Sequence, residues 1–148
     1  MTFIAMEYYA FILNRTFEVY LCADGLVGIK VAGVVGASLL YTQSKYRNPR
    51  SFINDRFLKR YDGQEICGHE ILGKDSHNFK LLFSNIDSVD FIAKRKWGMG
   101  PVPHSGLLSI KFKNIPRPRE LILLGDQDGY VISKEIIAKI QSGVSRLG

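Results

Sequence analysis

Residues 16–31, TFEVYLCADGLVGIKV, decide the fold that the sequence predicts. Apolar and polar side chains alternate from Phe17 to Cys22, and this period of two predicts a half-buried β-strand. The Asp24-Gly25 pair follows at once, and glycine supplies the positive φ that a tight turn needs. Leu26–Val31 is therefore predicted to be the second strand of an antiparallel hairpin.

Further strands are predicted on both sides of this hairpin. Their positions are Glu7–Leu13, Phe79–Phe83, Ser88–Ala93, Leu107–Phe112 and Glu120–Leu124. For Glu7–Leu13 a helix is the alternative, and a strand is preferred. The period then changes to 3.6 residues, which predicts a terminal amphipathic helix with Asp126 as its N-cap. The apolar face of that helix is predicted to hold Val131, Ile132, Ile136, Ile140 and Val144.

Residues 38–78 interrupt the strands with helical character. Phe52–Tyr61, FINDRFLKRY, separates apolar from charged residues and predicts an amphipathic helix, and Gln64–Leu72 predicts a second short one. Strands in succession with segregated helices indicate an α+β fold. We predict one domain over residues 1–148, an antiparallel sheet or open β-barrel with a C-terminal capping helix and a helical insertion at 38–78 after the first hairpin.

Composition favours an ordinary globular protein. The chain has 148 residues, 46% hydrophobic and 23% charged, which is enough to bury a core without cross-links. Cys22 and Cys67 are therefore expected to be free thiols in a reducing, cytoplasmic setting.

The first residues lack the basic region of a signal peptide. Leu26–Tyr41 is too short, at 16 residues, to span a bilayer. It is interpreted as a buried strand followed by a turn or a short buried helix, with a re-entrant or interfacial segment as the alternative.

Three stretches together resemble the PH-like superfamily, specifically bacterial PH-like and GRAM-type domains. They are the hairpin FEVYLCADGLVGIKV, the strand–turn–strand segment FKLLFSNIDSVDF, and GLLSIKFK followed by RELILLGDQDG and a final helix. The resemblance covers residues 10–37 and 78–147, while 38–78 departs from it, because those domains connect the same strands briefly. It implies a non-catalytic module that binds anionic lipids, peptides or other subunits, and fold alone does not choose among them.

The residue patterns do not favour catalysis or metal binding. His69, His77 and His104 lie in none of the usual hydrolase or metalloprotease motifs. Cys67 with His69 and His77 could supply three ligands, but the second closely spaced pair of a zinc site is missing. The Asp126-x-Asp128 pair lacks the glutamate of a calcium loop, so helix capping is the preferred role. The sequence predicts no enzyme, cofactor or metal.

Positive charge is the strongest functional signal. A formal charge of +6 and a pI of about 9.4 suit a polyanionic partner, although a merely basic protein is the alternative. Arg95–Gly106, RKWGMGPVPHSG, is predicted to be a long loop between two strands and the first candidate for a contact surface. The candidate binding residues are Lys94, Arg95, Lys96, Trp97, Lys111, Lys113, Arg117 and Arg119. The competing interpretation is that these lysines protect the end of an edge strand and that Trp97 packs on the sheet.

These features predict a binding or scaffold module that contacts a protein partner or an acidic membrane surface. Cations attract anionic headgroups, and tryptophan suits the interfacial zone of a bilayer. A nucleic-acid-associated basic protein is the alternative, but the aromatic residues fall mostly on predicted apolar faces rather than in a stacking groove. Self-association is compatible with both predictions.

Overall fold

The computed structural model describes residues 1–96 and 98–147. It contains one seven-stranded antiparallel sheet in the order β4-β3-β2-β1-β7-β6-β5, so that β4 and β5 are its edges. The strands are β1 (Thr2–Ala10), β2 (Leu13–Leu21), β3 (Gly25–Ala32), β4 (Phe79–Leu82), β5 (Ile86–Ile92), β6 (His104–Phe112) and β7 (Arg119–Leu124). A long helix, α2 (Gly129–Leu147), ends the described chain, and α1 is the single turn Asp55–Leu58. The predicted α+β architecture with a C-terminal helix is confirmed.

A single inner core receives side chains from all seven strands and from α2. Phe17 of β2 packs edge to face on Phe79 of β4, with ring centroids 5.0 Å apart. Both edge strands contribute to the same core, so the sheet must curl around it rather than lie flat. Ile132 and Ile136 place α2 over this core. Val131, predicted to face inward, is exposed, because the buried face of α2 is centred on Ile132 and Ile136.

The N-terminal strand is longer than the sequence predicted. β1 begins at Thr2, and the segment Glu7–Leu13 is divided by a turn at Phe11 and Ile12 into the end of β1 and the start of β2. The prediction of one strand over Glu7–Leu13 was therefore wrong. The run YYAFIL (residues 8–13) contains no glycine, asparagine or proline to indicate a turn.

The insertion between β3 and β4 is built from single turns instead of helices. Phe52–Tyr61 holds only α1 and adjoining 3-10 turns, so the predicted amphipathic helix was wrong. Asn48 and Asn54 each cap a new turn by accepting a hydrogen bond from the backbone N–H two residues ahead. Each cap restarts the chain in a new direction, which lets it follow the curved sheet. The 3-10 turns are Leu39–Thr42, Ser44–Arg47, Pro49–Phe52, Lys59–Tyr61, His69–Gly73 and Phe83–Asn85, the last of which lies after the insertion.

The insertion covers the outer face of the sheet. Tyr46 and Phe52 pack on the outer side chains of β1 and β7, and Tyr61 and Ile71 pack on those of β3. The backbone of Asn54 donates a hydrogen bond to Val31, which ties the insertion to the end of β3. β3 is consequently buried on both faces.

A disulfide joins Cys22, at the end of β2, to Cys67 in the insertion, with Cα atoms 5.8 Å apart. The prediction of two free thiols was wrong, and the argument for a reducing compartment that depended on it no longer applies. The two cysteines are 45 positions apart in the chain. They meet because the insertion folds back over the outer face of β2 and β3, which no sequence spacing indicates.

The start of α2 is capped by Asp128 rather than by Asp126. The Asp128 side chain accepts a hydrogen bond from the N–H of Val131, whereas Asp126 forms an ion pair with Arg47. Within residues 1–96 and 98–147, no helix combines the length and the apolar character that crossing a bilayer requires.

Candidate functional site

A cleft opens where β1 and β7 separate. The two strands pair only at Ala5 with Leu123 and at Met6 with Ile122. On the N-terminal side, the Gln127 side chain continues the pairing, because its amide both donates to and accepts from the backbone of Ile4. On the other side nothing among the described residues bridges the two backbones, and a cleft of about 570 Å³ lies between them. It is lined by Glu7, Tyr8, Tyr9, Ala10, Phe11, Lys96, Arg117, Pro118, Arg119, Glu120 and Ile122.

Two ion pairs lie at the cleft, and the Arg119–Glu7 pair joins its two strands. Arg119 donates from two guanidinium nitrogens to both oxygens of Glu7, at 2.6 and 2.9 Å, and its guanidinium also lies 3.8 Å from the centre of the Phe79 ring. Lys96 reaches Glu120 at 3.4 Å. Arg117 has no carboxylate partner among the described residues, so its charge is available to a bound anion.

The structure divides the predicted binding residues into two groups. Lys96, Arg117 and Arg119 line the cleft, and Lys94 and Arg95 are exposed beside Lys96. Lys111 and Lys113 line a separate depression of about 380 Å³ together with Asp87. They are therefore not part of the cleft. Trp97 lies outside the described residues.

The loop between β5 and β6 folds back over the outer face of the sheet. Met99 and Val102 are buried with Tyr46 and Phe52 against the outer face of the sheet, in the apolar layer that we call the outer core. The Tyr8 hydroxyl donates to the Met99 sulfur at 3.3 Å. The prediction of a connection between two strands is confirmed, but its end was wrong, because β6 begins at His104 and includes Gly106. Part of the loop is packed against the sheet. Lys94 follows β5, an edge strand, so edge protection is also compatible with its position.

His104 fixes the base of this loop. Its Nε2 accepts a hydrogen bond from the N–H of Lys96 at 2.9 Å, and its Nδ1 lies 3.0 Å from the Val102 carbonyl oxygen. Both contacts are satisfied by the neutral ring with the proton on Nδ1. Burial lowers the pKa of His104, and the nearby positive charge of Arg95 lowers it further. The hydrogen bond to Val102 acts in the opposite direction. The histidine thus holds Lys96 at the cleft.

The tip of the β1–β2 hairpin is an apolar projection that the sequence interpretation missed. We define the hairpin tip as residues 9–13, YAFIL; Phe11 is 100% exposed and Ile12 is 75% exposed. Tyr9 and Phe11 also line the cleft, so the hairpin tip and the cleft form one surface. The signal was present in the sequence as a run of large apolar residues, but it was interpreted as the interior of a strand.

A buried carboxylate, that of Glu18, lies under the insertion. Glu18 on the outer face of β2 is buried and forms an ion pair with Arg50 at 3.0 Å. Burial and the neighbouring Glu18 raise the pKa of Tyr20 to about 12. The Glu18–Arg50 pair anchors the insertion to the sheet.

Metal ligation finds no support in the described part of the chain. It contains no group of three His, Cys, Asp or Glu side chains placed to hold a metal ion. Of the three ligands considered from the sequence, Cys67 is in the disulfide and His77 lies 3.3 Å from Asp75.

The chain was compared with protein-family models, with curated proteins and with solved structures. No family model matches it, and neither a curated protein nor a solved structure matches it.

Proposed function

We propose that this chain is a non-catalytic, PH-like binding module that contacts an acidic membrane surface through the cations around the cleft. The strand order, with two antiparallel runs joined through β1 and β7 and followed by a helix over the core, supports the PH-like assignment. The resemblance in the sequence supports it as well, with residues 38–78 as an addition to the outer face.

The observation that carries the proposal is an excess of positive charge at the cleft. We define the cation rim as six residues that line the cleft, stack on a residue that lines it, or lie within two positions of Lys96. They are Arg15, Lys94, Arg95, Lys96, Arg117 and Arg119. The cleft itself is lined by three of these cations, Lys96, Arg117 and Arg119, and by the carboxylates of Glu7 and Glu120, which leaves one positive charge in excess. Arg15, Lys94 and Arg95 lie beside the lining and bring the excess of the whole rim to four.

The size of this excess corresponds to a weak attraction to an acidic membrane that salt would screen. Each cation near an anionic leaflet contributes about 1 kcal/mol, so four contribute about 4 kcal/mol, or roughly a thousandfold in affinity. Lys94 and Arg117 are exposed and have no ion-pair partner in the described part of the chain. They can therefore approach phosphate groups without breaking an internal contact.

Vesicle sedimentation tests the proposal. The chain should bind vesicles of phosphatidylcholine with about 30% phosphatidylglycerol and not vesicles of phosphatidylcholine alone, and binding should weaken as salt rises. Lys94→Glu with Arg117→Glu should reduce the affinity at least tenfold. The matched control is Lys111→Glu with Lys113→Glu, which makes the same change of charge in the separate depression.

Two results would contradict the proposal. The first is that wild-type protein does not bind the acidic vesicles. The second is an equal loss in both double variants, which would show that only net charge matters. Salt-sensitive retention of an oligonucleotide without vesicle binding would favour the nucleic-acid alternative instead.

A further inference from the structure

The hairpin tip exposes more apolar surface than folding requires. Phe11 and Ile12 project from the end of β1 and β2, and Tyr9 and Leu13 beside them are 47% and 41% exposed. None of these four side chains belongs to a buried core cluster. A lone exposed apolar residue needs no explanation, but four in five consecutive positions on a projecting turn form a patch that indicates an interaction surface.

The backbone at the hairpin tip favours a smaller residue than phenylalanine. Phe11 has a φ of 50°, and it is the only described non-glycine residue with positive φ. A two-residue hairpin turn usually has glycine or asparagine at such a position, because a Cβ is crowded there. Phe11 therefore destabilises the turn and makes no compensating contact in the core. Its side chain gains its stabilising contacts only when a partner covers it.

Charge around the hairpin tip identifies the partner. The Arg15 guanidinium lies 3.8 Å from the centre of the Tyr9 ring, and Arg117 shares the cleft lining with Phe11. The apolar projection is thus bordered by the cation rim. An acidic bilayer presents the complementary order, with anionic headgroups outside and hydrocarbon beneath, and an apolar surface element enters about 5–10 Å into that boundary.

We propose that the hairpin tip inserts into the headgroup–acyl boundary of an acidic bilayer while the cation rim contacts the headgroups. This inference rests on the proposed function and adds a second, apolar contribution to binding. The cation rim supplies the part of the affinity that salt screens, and the hairpin tip supplies the part that salt leaves unchanged.

The test separates insertion from charge attraction. Phe11→Gly with Ile12→Asn gives the turn its preferred residues, so we expect the variant to be at least as stable as the wild type. Its affinity for vesicles with 30% phosphatidylglycerol should fall roughly tenfold or more, because burial of a Phe side chain contributes on that scale. The dependence on salt should remain as in the wild type. The matched control is Leu39→Ser with Leu40→Asn, an exposed apolar pair in the insertion, which should bind as the wild type does.

Fluorescence quenching measures how deeply the hairpin tip enters the bilayer. In a Trp97→Phe background, which removes the only tryptophan, Phe11→Trp should be quenched by lipids brominated on the upper acyl chain and should shift to shorter wavelength on binding. Wild-type binding with no loss in the tip variant and no quenching would overturn insertion and leave the proposed function standing. Failure of the wild type to bind acidic vesicles would overturn both. Dissociation of a wild-type oligomer by the tip variant, with vesicle binding unchanged, would assign the hairpin tip to self-association and overturn insertion.

Discussion

Removing the disulfide should destabilise the chain strongly while leaving its outer core assembled. The cleanest perturbation is Cys22→Ala with Cys67→Ser, since Cys22 is buried and Cys67 is exposed. Alanine leaves no unpaired polar group in the outer core, and serine at Cys67 stays in contact with water. The change in stability then reports the loss of the covalent link.

The length of chain between the cysteines sets the magnitude. With 45 positions between them, the chain-entropy relation for a closed loop gives about 4 kcal/mol at 25 °C. In a chain of about this size, 1 kcal/mol shifts the melting temperature by roughly 2–4 °C. The double variant should therefore melt roughly 8–16 °C below the oxidised wild type.

Urea unfolding and calorimetry, each with and without reductant, measure this difference. Reductant should lower the stability of the wild type to that of the double variant and should leave the double variant unchanged. Hydrogen exchange should accelerate most in residues 59–73, which the disulfide ties to β2. An unfolding free energy within about 1 kcal/mol of the wild type, or two titratable thiols in unreduced wild-type protein, would refute the reasoning.

Two other predictions concern substitutions at single positions, His104 and Gly28. The pKa of His104 is lower in the folded state than in the unfolded chain, so the unfolded chain binds the proton first as pH falls. The neutral histidine therefore contributes its full stability above pH 6.5, and this stability is lost as pH falls below that value. Urea midpoints at pH 7.5 and pH 5.0 should therefore differ more for the wild type than for His104→Gln, and equal differences would contradict the assignment. Gly28→Ala should cost about 1–3 kcal/mol in thermal unfolding, because its Cβ would overlap the Phe79 ring. Gly33→Ala, where a Cβ meets nothing within 4 Å, is the control, and equal losses in both would show that the crowding at Phe79 is not the cause.

Regular periodicity explains which parts of the fold the sequence predicted. Phe17–Leu21 and Leu107–Phe112 lie in strands as the alternation indicates, and Tyr130–Val144 lies in the terminal helix. In each case one face of a regular element meets the core, so burial leaves a repeating pattern. The insertion has no single buried face over more than one turn, and the helix predicted at Phe52–Tyr61 was wrong for that reason.

The candidate site was predicted only in part, because it depends on tertiary placement. Charge alone identified Arg117 and Arg119, and the structure places both at the cleft. The same reasoning grouped Lys111 with them, although it lines another depression. Phe11 escaped notice because an exposed apolar residue in a turn looks, in sequence, like a buried one in a strand.

The burial of β3 on both faces makes the insertion a required cover for this strand. A sheet with solvent on its outer side tolerates shortening of its connections, but here Val27, Ile29 and Val31 depend on residues 33–78 for their cover. Deleting the insertion alone would leave those three side chains facing water, so a shortened chain would also need polar residues at the same positions. The insertion is therefore a condition for an apolar outer face on β3.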